Sequence, residues 1–218
     1  FEGILTVEPC YYGYGTTIGN ALRRVLLSSL PGAAVTAVKI KGVFHEFQAV
    51  EHVKEDALEI ILNLKNLRLK VHSDDPVRLT LKKEGEGEVK ASDISPNADV
   101  EIVNTDLTIA TLTDNNASLE MEIVVAKGRG FKPTEERRGD MDELGMIAID
   151  ALFSPVRNVG YRIENTRVGE ITNYDKLIMT IETDGTMNPE QAVQVSAKIL
   201  IDHFSLLLGS VIGDMSAL

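Results

Sequence analysis

The sequence predicts a mixed fold in which helices near both ends of the chain flank a module of antiparallel strands. The first helix lies in the glycine-rich stretch from Tyr12 to Gly32, YGYGTTIGNALRRVLLSSLPG. From Leu67 to Val125 apolar residues recur with a period of two, which is typical of half-buried strands. A second long apolar helix begins at Asn188. We therefore expect a β module in the middle third of the chain.

The first helix has clear start and stop signals. A weakly alternating strand over Phe1–Val7 precedes it. Thr16 or Thr17 can cap the helix, because a hydroxyl accepts a hydrogen bond from the free amides of the first turn. Pro31-Gly32 ends it. Gly19 inside the helix costs up to about 1 kcal/mol relative to alanine, so we expect the close approach of another backbone there.

This helix presents two different faces. At about 100° per residue, one face is a continuous stripe suited to burial, formed by Ile18, Ala21, Leu22, Val25, Leu26 and Ser29. The opposite face carries Asn20, Arg23, Arg24 and Leu27. Arginine is enriched where proteins dock and lysine is depleted. The second face is therefore interpreted as a surface for a protein partner.

The middle of the chain predicts one helix and a series of short strands. The helix covers Val53–Leu64, and strands are expected at 34–40, 67–71, 77–81, 100–102, 107–109, 119–123, 146–149, 159–163 and 177–181. Asp, Asn, Gly and Pro clusters separate the strands of the module. The segment GRGFKP at 128–133 predicts a basic glycine loop, and 134–143 a charged stretch.

The last helix is unusually apolar. Asn188, Pro189 and Gln191 form a strong start signal, with the glutamine placed to reach back to the cap, and the helix should run to about Gly209. Its only polar stripe consists of Gln194, Lys198, Asp202 and Ser205. A helix apolar on more than two sides should pack on its own sheet and also on a second body.

Composition narrows the classes of function. The 218 residues include 33 acidic and 22 basic side chains, a net charge of −11 that disfavours binding of a nucleic-acid backbone. The single cysteine, Cys10, excludes an internal disulfide and any multi-cysteine zinc site. No apolar run reaches the roughly 20 residues that span a bilayer. We expect a soluble cytoplasmic protein that does not bind membranes.

No self-contained catalytic, metal or cofactor site is predicted. The alternative is a nucleotide- or anion-binding enzyme that uses the Gly13–Gly19 loop as a phosphate cradle. Its spacing is GxGxxxG rather than GxGxxG, and no Lys-Ser/Thr pair follows, so a tight turn with close helix packing is the preferred interpretation. The histidines are scattered without metal-ligand spacing, and no GxSxG elbow occurs.

Several long runs carry a family resemblance. In order they are GYGTTIGNALRRVLLSSLPG, AVTAVKIKGVFHEF, VKEDALEIILNLK, LTDNNAS, GRGF and SPV. Together they resemble the N-terminal domain of the bacterial RNA polymerase alpha subunit, over nearly the whole chain. The resemblance implies an α+β fold, with a discontinuous dimerisation and assembly domain at 1–31 and 155–218 and a mainly β domain inserted at 32–154.

The resemblance also implies a function and a set of contact residues. The family forms a non-catalytic homodimer that recruits the beta and beta-prime subunits, and its separate DNA-binding C-terminal domain is not in this sequence. Arg23, Arg24 and Leu27 correspond to the beta contact. Lys65 and Ile149 correspond to the beta-prime contact. The dimer interface would comprise Ile18, Leu22, Val25, Leu26, Val195, Ile199, Phe204, Leu207 and Leu208.

Overall fold

A computed structural model describes residues 1–137 and 143–214, with side chains for all of these except 137 and 208–214. The helices are α1 (Tyr14–Ser28), α2 (Ala57–Lys65) and α3 (Pro189–Asp214). The strands are β1 (Glu2–Cys10), β2 (Pro31–Ile40), β3 (Leu69–Val71), β4 (Val77–Glu84), β5 (Gly87–Lys90), β6 (Val100–Ile102), β7 (Thr108–Leu112), β8 (Ser118–Arg129), β9 (Phe131–Lys132), β10 (Ile147–Ala148), β11 (Ala151–Leu152), β12 (Val156–Val168) and β13 (Ile171–Thr183). Helices and antiparallel sheets confirm the predicted α+β class.

The chain divides into two compact units. One unit combines residues 1–30 with the residues from 154 onward, and the other comprises Pro31–Phe153. The first unit is therefore discontinuous in sequence, with the second inserted into it.

The first unit is a three-stranded antiparallel sheet carrying α1 and α3. Its strand order is β1-β13-β12, and β12 and β13 form one long hairpin that extends well beyond the predicted 159–163 and 177–181. Leu5 and Tyr161 flank Met179 in register, so their side chains point to the same face. The buried core joins helix and sheet residues, namely Leu22, Leu26, Leu30, Val156, Val159, Met179, Ile181 and Ala192.

The second unit is mainly β. A four-stranded antiparallel sheet has the order β10-β2-β8-β4, and the pairs β11-β9, β3-β6 and β5-β7 complete the strands described. Helix α2 buries Ala57, Ile60, Ile61 and Leu64 in the large core of this unit. It begins at Ala57, later than predicted, because the Asp56 carboxylate accepts a hydrogen bond from the Glu59 amide and caps the helix there.

The predicted basic loop at 128–133 is wrong. Strand β8 continues to Arg129, and Phe131–Lys132 forms β9 opposite β11. A Cβ at position 128 would clash with the Phe153 ring, at a distance of 2.6 Å. Because Gly128 has no Cβ, the strand can pass this close to the ring. The glycine is therefore used for packing against an aromatic side chain and not for a turn.

Candidate protein-protein interfaces

The glycine-rich turn before α1 holds a carboxylate that belongs to the chain itself. Asp175 of β13 accepts hydrogen bonds at Oδ2 from the amides of Gly13, at 2.9 Å, and Gly15, at 3.0 Å. Gly13 is the N-cap residue of α1 and has a φ of 83°. Because glycine has no side chain, it cannot itself supply an oxygen to cap the helix. The predicted threonine cap is wrong, because Asp175 supplies the oxygen instead. Thr17 donates its hydroxyl hydrogen to the Gly13 carbonyl.

This arrangement bears on the alternative reading of the loop. A phosphate bound there would need the free amides at the helix N-terminus. Two of those amides already donate to Asp175, whose side chain is buried. The loop is therefore occupied internally, and we do not propose the nucleotide-binding enzyme.

Gly19 lies where another part of the chain comes close, as predicted, but the neighbour is not a backbone. A Cβ on Gly19 would lie 2.9 Å from the Tyr161 ring and 3.1 Å from a methyl group of Leu177. The helix therefore packs directly on side chains of β12 and β13. Any larger residue would have to displace the ring.

Some residues of the apolar stripe on α1 are fully buried in the chain, and others are only half-buried. Leu22 is 7% exposed and Leu26 is fully buried in the core of their own unit. These two side chains cannot also cover a second copy, so their assignment to the dimer interface is corrected. Ile18 and Val25 are half-buried and stay predicted interface residues.

The arginine face of α1 is exposed. Arg24 lies in solvent, and no residue that the structure describes forms an ion pair or hydrogen bond with its guanidinium. Arg23 is also exposed, but its Nε donates to the Val159 carbonyl at 3.0 Å, which holds it against β12. Leu27 was predicted to face solvent, and this is wrong, because it is half-buried and packs against the core. The exposed feature of this face is therefore the arginine pair.

Helix α3 changes character along its length. The helix begins with the predicted capping box. The backbone N–H of Gln191 donates to Asn188 Oδ1 at 2.7 Å, and the backbone N–H of Asn188 donates to Gln191 Oε1 at 3.4 Å. Ala192 and Ser196 are buried, and Val195 and Ile199 are half-buried against the core. Every residue from 201 to 207 is exposed.

Among the described side chains of α3, four large apolar ones therefore lie in solvent within residues 201–207, the segment that we call the distal half of α3. They are Ile201, Phe204, Leu206 and Leu207, with exposures of 63%, 59%, 69% and 62%. Leu208, predicted for the same contact, has no described side chain. Ile201 and Leu206 were not predicted as contact residues, although the narrow polar stripe of the helix implied that they would lack cover.

In the second unit the predicted pair Lys65 and Ile149 is not equally accessible. Ile149 is 1% exposed and belongs to the core, so its assignment to a partner contact is corrected. Its neighbour Asp150 lies 3.4 Å from the Lys65 ammonium and also accepts a hydrogen bond from the Thr134 amide. That amide, and then the Lys65 charge, lower the pKa of the Asp150 carboxyl. The accessible partner of Lys65 is thus Asp150.

The residues around Lys65 include exposed apolar side chains that the sequence analysis did not select. Leu58 and Leu62 are partly exposed on α2, and they precede Lys65 by seven and three residues on the same face. Leu152, two residues after Asp150 in the chain, pairs with Phe131 across β11 and β9, and both side chains are exposed. The spacing of Leu58 and Leu62, outside the buried stripe of α2, could have revealed the first pair.

The described residues give no sign of a metal site or a membrane span. No group of three or more His, Cys, Asp or Glu side chains is placed to hold a metal ion in the described ranges. Among the helices of the same ranges, none is both long enough and apolar enough to cross a bilayer.

Comparison with known proteins defines the family. Residues 38–154 match the model of the RNA polymerase Rpb3/RpoA insert domain. The chain therefore belongs to the RNA polymerase Rpb3/RpoA insert-domain family. Its relatives include proteins named DNA-directed RNA polymerase subunit alpha, so the predicted resemblance to the bacterial alpha subunit is confirmed.

Three relatives give the extent of the match. The protein of Oceanobacillus iheyensis is 50% identical over 207 residues, which cover 95% of this chain and 66% of the relative. That of Desulforamulus reducens is 54% identical over 207 residues, which cover 95% of this chain and 65% of the relative. That of Symbiobacterium thermophilum is 54% identical over 206 residues, which cover 94% of this chain and 65% of the relative. The chain thus spans slightly less than two thirds of the length of these relatives.

Proposed function

We propose that this chain is a non-catalytic, homodimeric assembly platform of bacterial RNA polymerase, which recruits the beta and beta-prime subunits in the cytoplasm. The family membership supports a polymerase subunit. The observation that carries the dimer is the distal half of α3, where four large apolar side chains lie in solvent. Burying such a surface against a second copy releases water from it and is favourable.

The dimer interface of this proposal uses α3 with the accessible part of α1. Val195, Ile199, Phe204 and Leu207 contribute from α3, and Ile18 and Val25 contribute from α1. A two-fold symmetric contact would cover both copies of the same surface at once. Sedimentation of the chain at micromolar concentration tests this, since the proposal requires a dimer and a stable monomer contradicts it.

The beta contact is assigned to the arginine face of α1. Arg24 is exposed and its charge is not paired with any described residue, so it is available to an acidic or carbonyl-rich partner surface. Arg24→Ala should abolish capture of beta and leave the dimer intact. Arg157→Ala is the matched control, because it removes another exposed arginine of the same unit. Loss of the dimer together with beta capture would show that Arg24 is structural.

The beta-prime contact is assigned to Lys65 and the exposed residues near it. Lys65 lies at the end of α2 with Leu62 one turn before it, so a charge and an apolar side chain share one face. Lys65→Ala should weaken capture of beta-prime by a preformed complex of this chain with beta. Lys70→Ala, which removes a partly exposed lysine of the same unit from its pair with Glu101, is the control. Equal effects of the two substitutions would refute the assignment.

A further inference from the structure

The carboxylate of Asp175 connects two distant parts of the first unit. It lies on β13 opposite Cys10, at the point where β1 ends, and it bonds to the loop that begins α1. The side chain is 5% exposed. A buried carboxylate is costly unless hydrogen bonds or positive charge compensate it, and the free amides at a helix N-terminus supply both.

The loop is shaped to let this carboxylate approach. A Cβ on Gly15 would lie 3.0 Å from both Cβ and Oδ2 of Asp175 and 3.0 Å from a methyl group of Ile163. Gly13 has a φ of 83°, a conformation that side chains rarely adopt. Gly15 is therefore explained by the close approach of the carboxylate, and Gly13 by its backbone conformation.

A second contact holds the same loop from the other side of the strand. Tyr174, the neighbour of Asp175, has its ring 5.5 Å from that of Tyr11, and Tyr11 lies 6.5 Å from Tyr14. Adjacent residues of a strand point to opposite faces. The segment from Tyr11 to Gly15 thus contacts both faces of β13, which fixes the start of the helix.

We propose that Asp175 is a positioning residue for the dimer contact. It holds the first two turns of α1 in helical form before a second copy docks. These turns carry Ile18, which is half-buried and predicted to contact the partner copy, whereas the turn with Arg24 is anchored separately by Leu22 and Leu26. An interface that is ordered in advance loses less conformational entropy on association. The inference rests on the proposed homodimer.

The experiment compares the wild-type chain with Asp175→Ala, Asp175→Asn and Gly15→Ala. Glu182→Ala, an exposed carboxylate of the same strand, is the matched control. In Asp175→Ala we expect amide hydrogen exchange from Gly13 to Ala21 to be about tenfold faster or more, because two hydrogen bonds to a charged acceptor are lost. The dimer dissociation constant should rise by a similar factor. Asp175→Asn keeps an acceptor oxygen, so its exchange rate and dimer dissociation constant should lie between those of the wild type and Asp175→Ala.

Added formate provides a readout specific for the missing carboxylate. Asp175→Ala leaves two free amides beside a space that matches a small carboxylate, so sodium formate should restore both exchange protection and dimerisation. Sodium chloride at the same ionic strength should not restore them, and formate should not affect the wild-type chain. If Asp175→Ala does not fold, Gly15→Ala tests the same contact from the loop side and should give the same local exchange.

The outcomes separate this inference from the proposed function. A dimeric wild type with an equally tight Asp175→Ala dimer, or unchanged exchange from Gly13 to Ala21, overturns the positioning role alone. A monomeric wild-type chain overturns the proposed dimer and the positioning role together. Faster exchange and weaker dimerisation in Asp175→Ala, both reversed by formate and not by sodium chloride, support the dimer and the positioning role.

Discussion

The exposed apolar residues on the distal half of α3 allow a quantitative prediction for the dimer. Phe204→Ala and Leu207→Ala each remove a large side chain that stays about 60% exposed in the single chain. Asp202→Ala is the control, because Asp202 is exposed on the polar stripe of the same helix. The substitutions remove no contact of the buried core.

The magnitude follows from the area that a partner can still cover. Full burial of such a side chain contributes about 1.5–3 kcal/mol, so covering the exposed part contributes about 1–2 kcal/mol. A symmetric dimer contains the side chain twice, and each substitution should therefore cost about 2–4 kcal/mol of association free energy. The dissociation constant should rise about 30- to 1000-fold.

Sedimentation equilibrium over a dilution series measures this constant directly. The two apolar variants should dissociate at much higher concentration than wild type, while Asp202→Ala should dissociate at the wild-type concentration. Circular dichroism should show unchanged folding of the variants. If Phe204→Ala and Leu207→Ala dimerise as tightly as wild type, the distal half of α3 is not the dimer contact.

Three further predictions concern the fold and one charged pair. Leu26→Ala should lower the unfolding free energy in urea by about 2–5 kcal/mol, since the side chain is fully buried, and a cost below about 1 kcal/mol would contradict its place in the core. Gly128→Ala should cost about 1–3 kcal/mol by overlap with the Phe153 ring, whereas Gly160→Ala, which has nothing within 4 Å, should cost much less in the same titration. The pKa of Asp150 is lowered from 3.8 in the folded chain, so its ionised form stabilises the fold at neutral pH and this contribution is lost as pH falls through the folded pKa. The difference in thermal midpoint between wild type and Asp150→Asn should therefore vanish in acid, and a difference that persists there would refute the linkage.

Local patterns in the sequence were sufficient for most of the elements. The capping box of α3 was predictable because Asn188 and Gln191 lie within one turn and bond to each other. The cap of α1 was not predictable, because its oxygen comes from Asp175, 160 residues away from Gly15. Periodicity alone could not reveal this contact between distant parts of the chain.

The candidate interfaces show the same division between local and tertiary information. Helical spacing placed Leu22, Leu26 and Ile18 on one stripe. Only the packing of α1 on β12 and β13 shows that the two leucines are buried in the core of their own chain. Ile149 is similar, since an apolar residue at the end of a short predicted strand gives no indication whether it faces the core or a partner. The excess of apolar surface on α3 was visible in the sequence, because its polar stripe is too narrow for one sheet to cover the rest.

The central claim is that two copies of this chain form the platform on which a large polymerase subunit assembles. Sedimentation velocity of the chain mixed with the beta subunit tests it most directly. We predict one complex that contains two copies of the chain for each beta subunit. Separate boundaries for the chain and beta, or a complex with a single copy of the chain, would contradict the account.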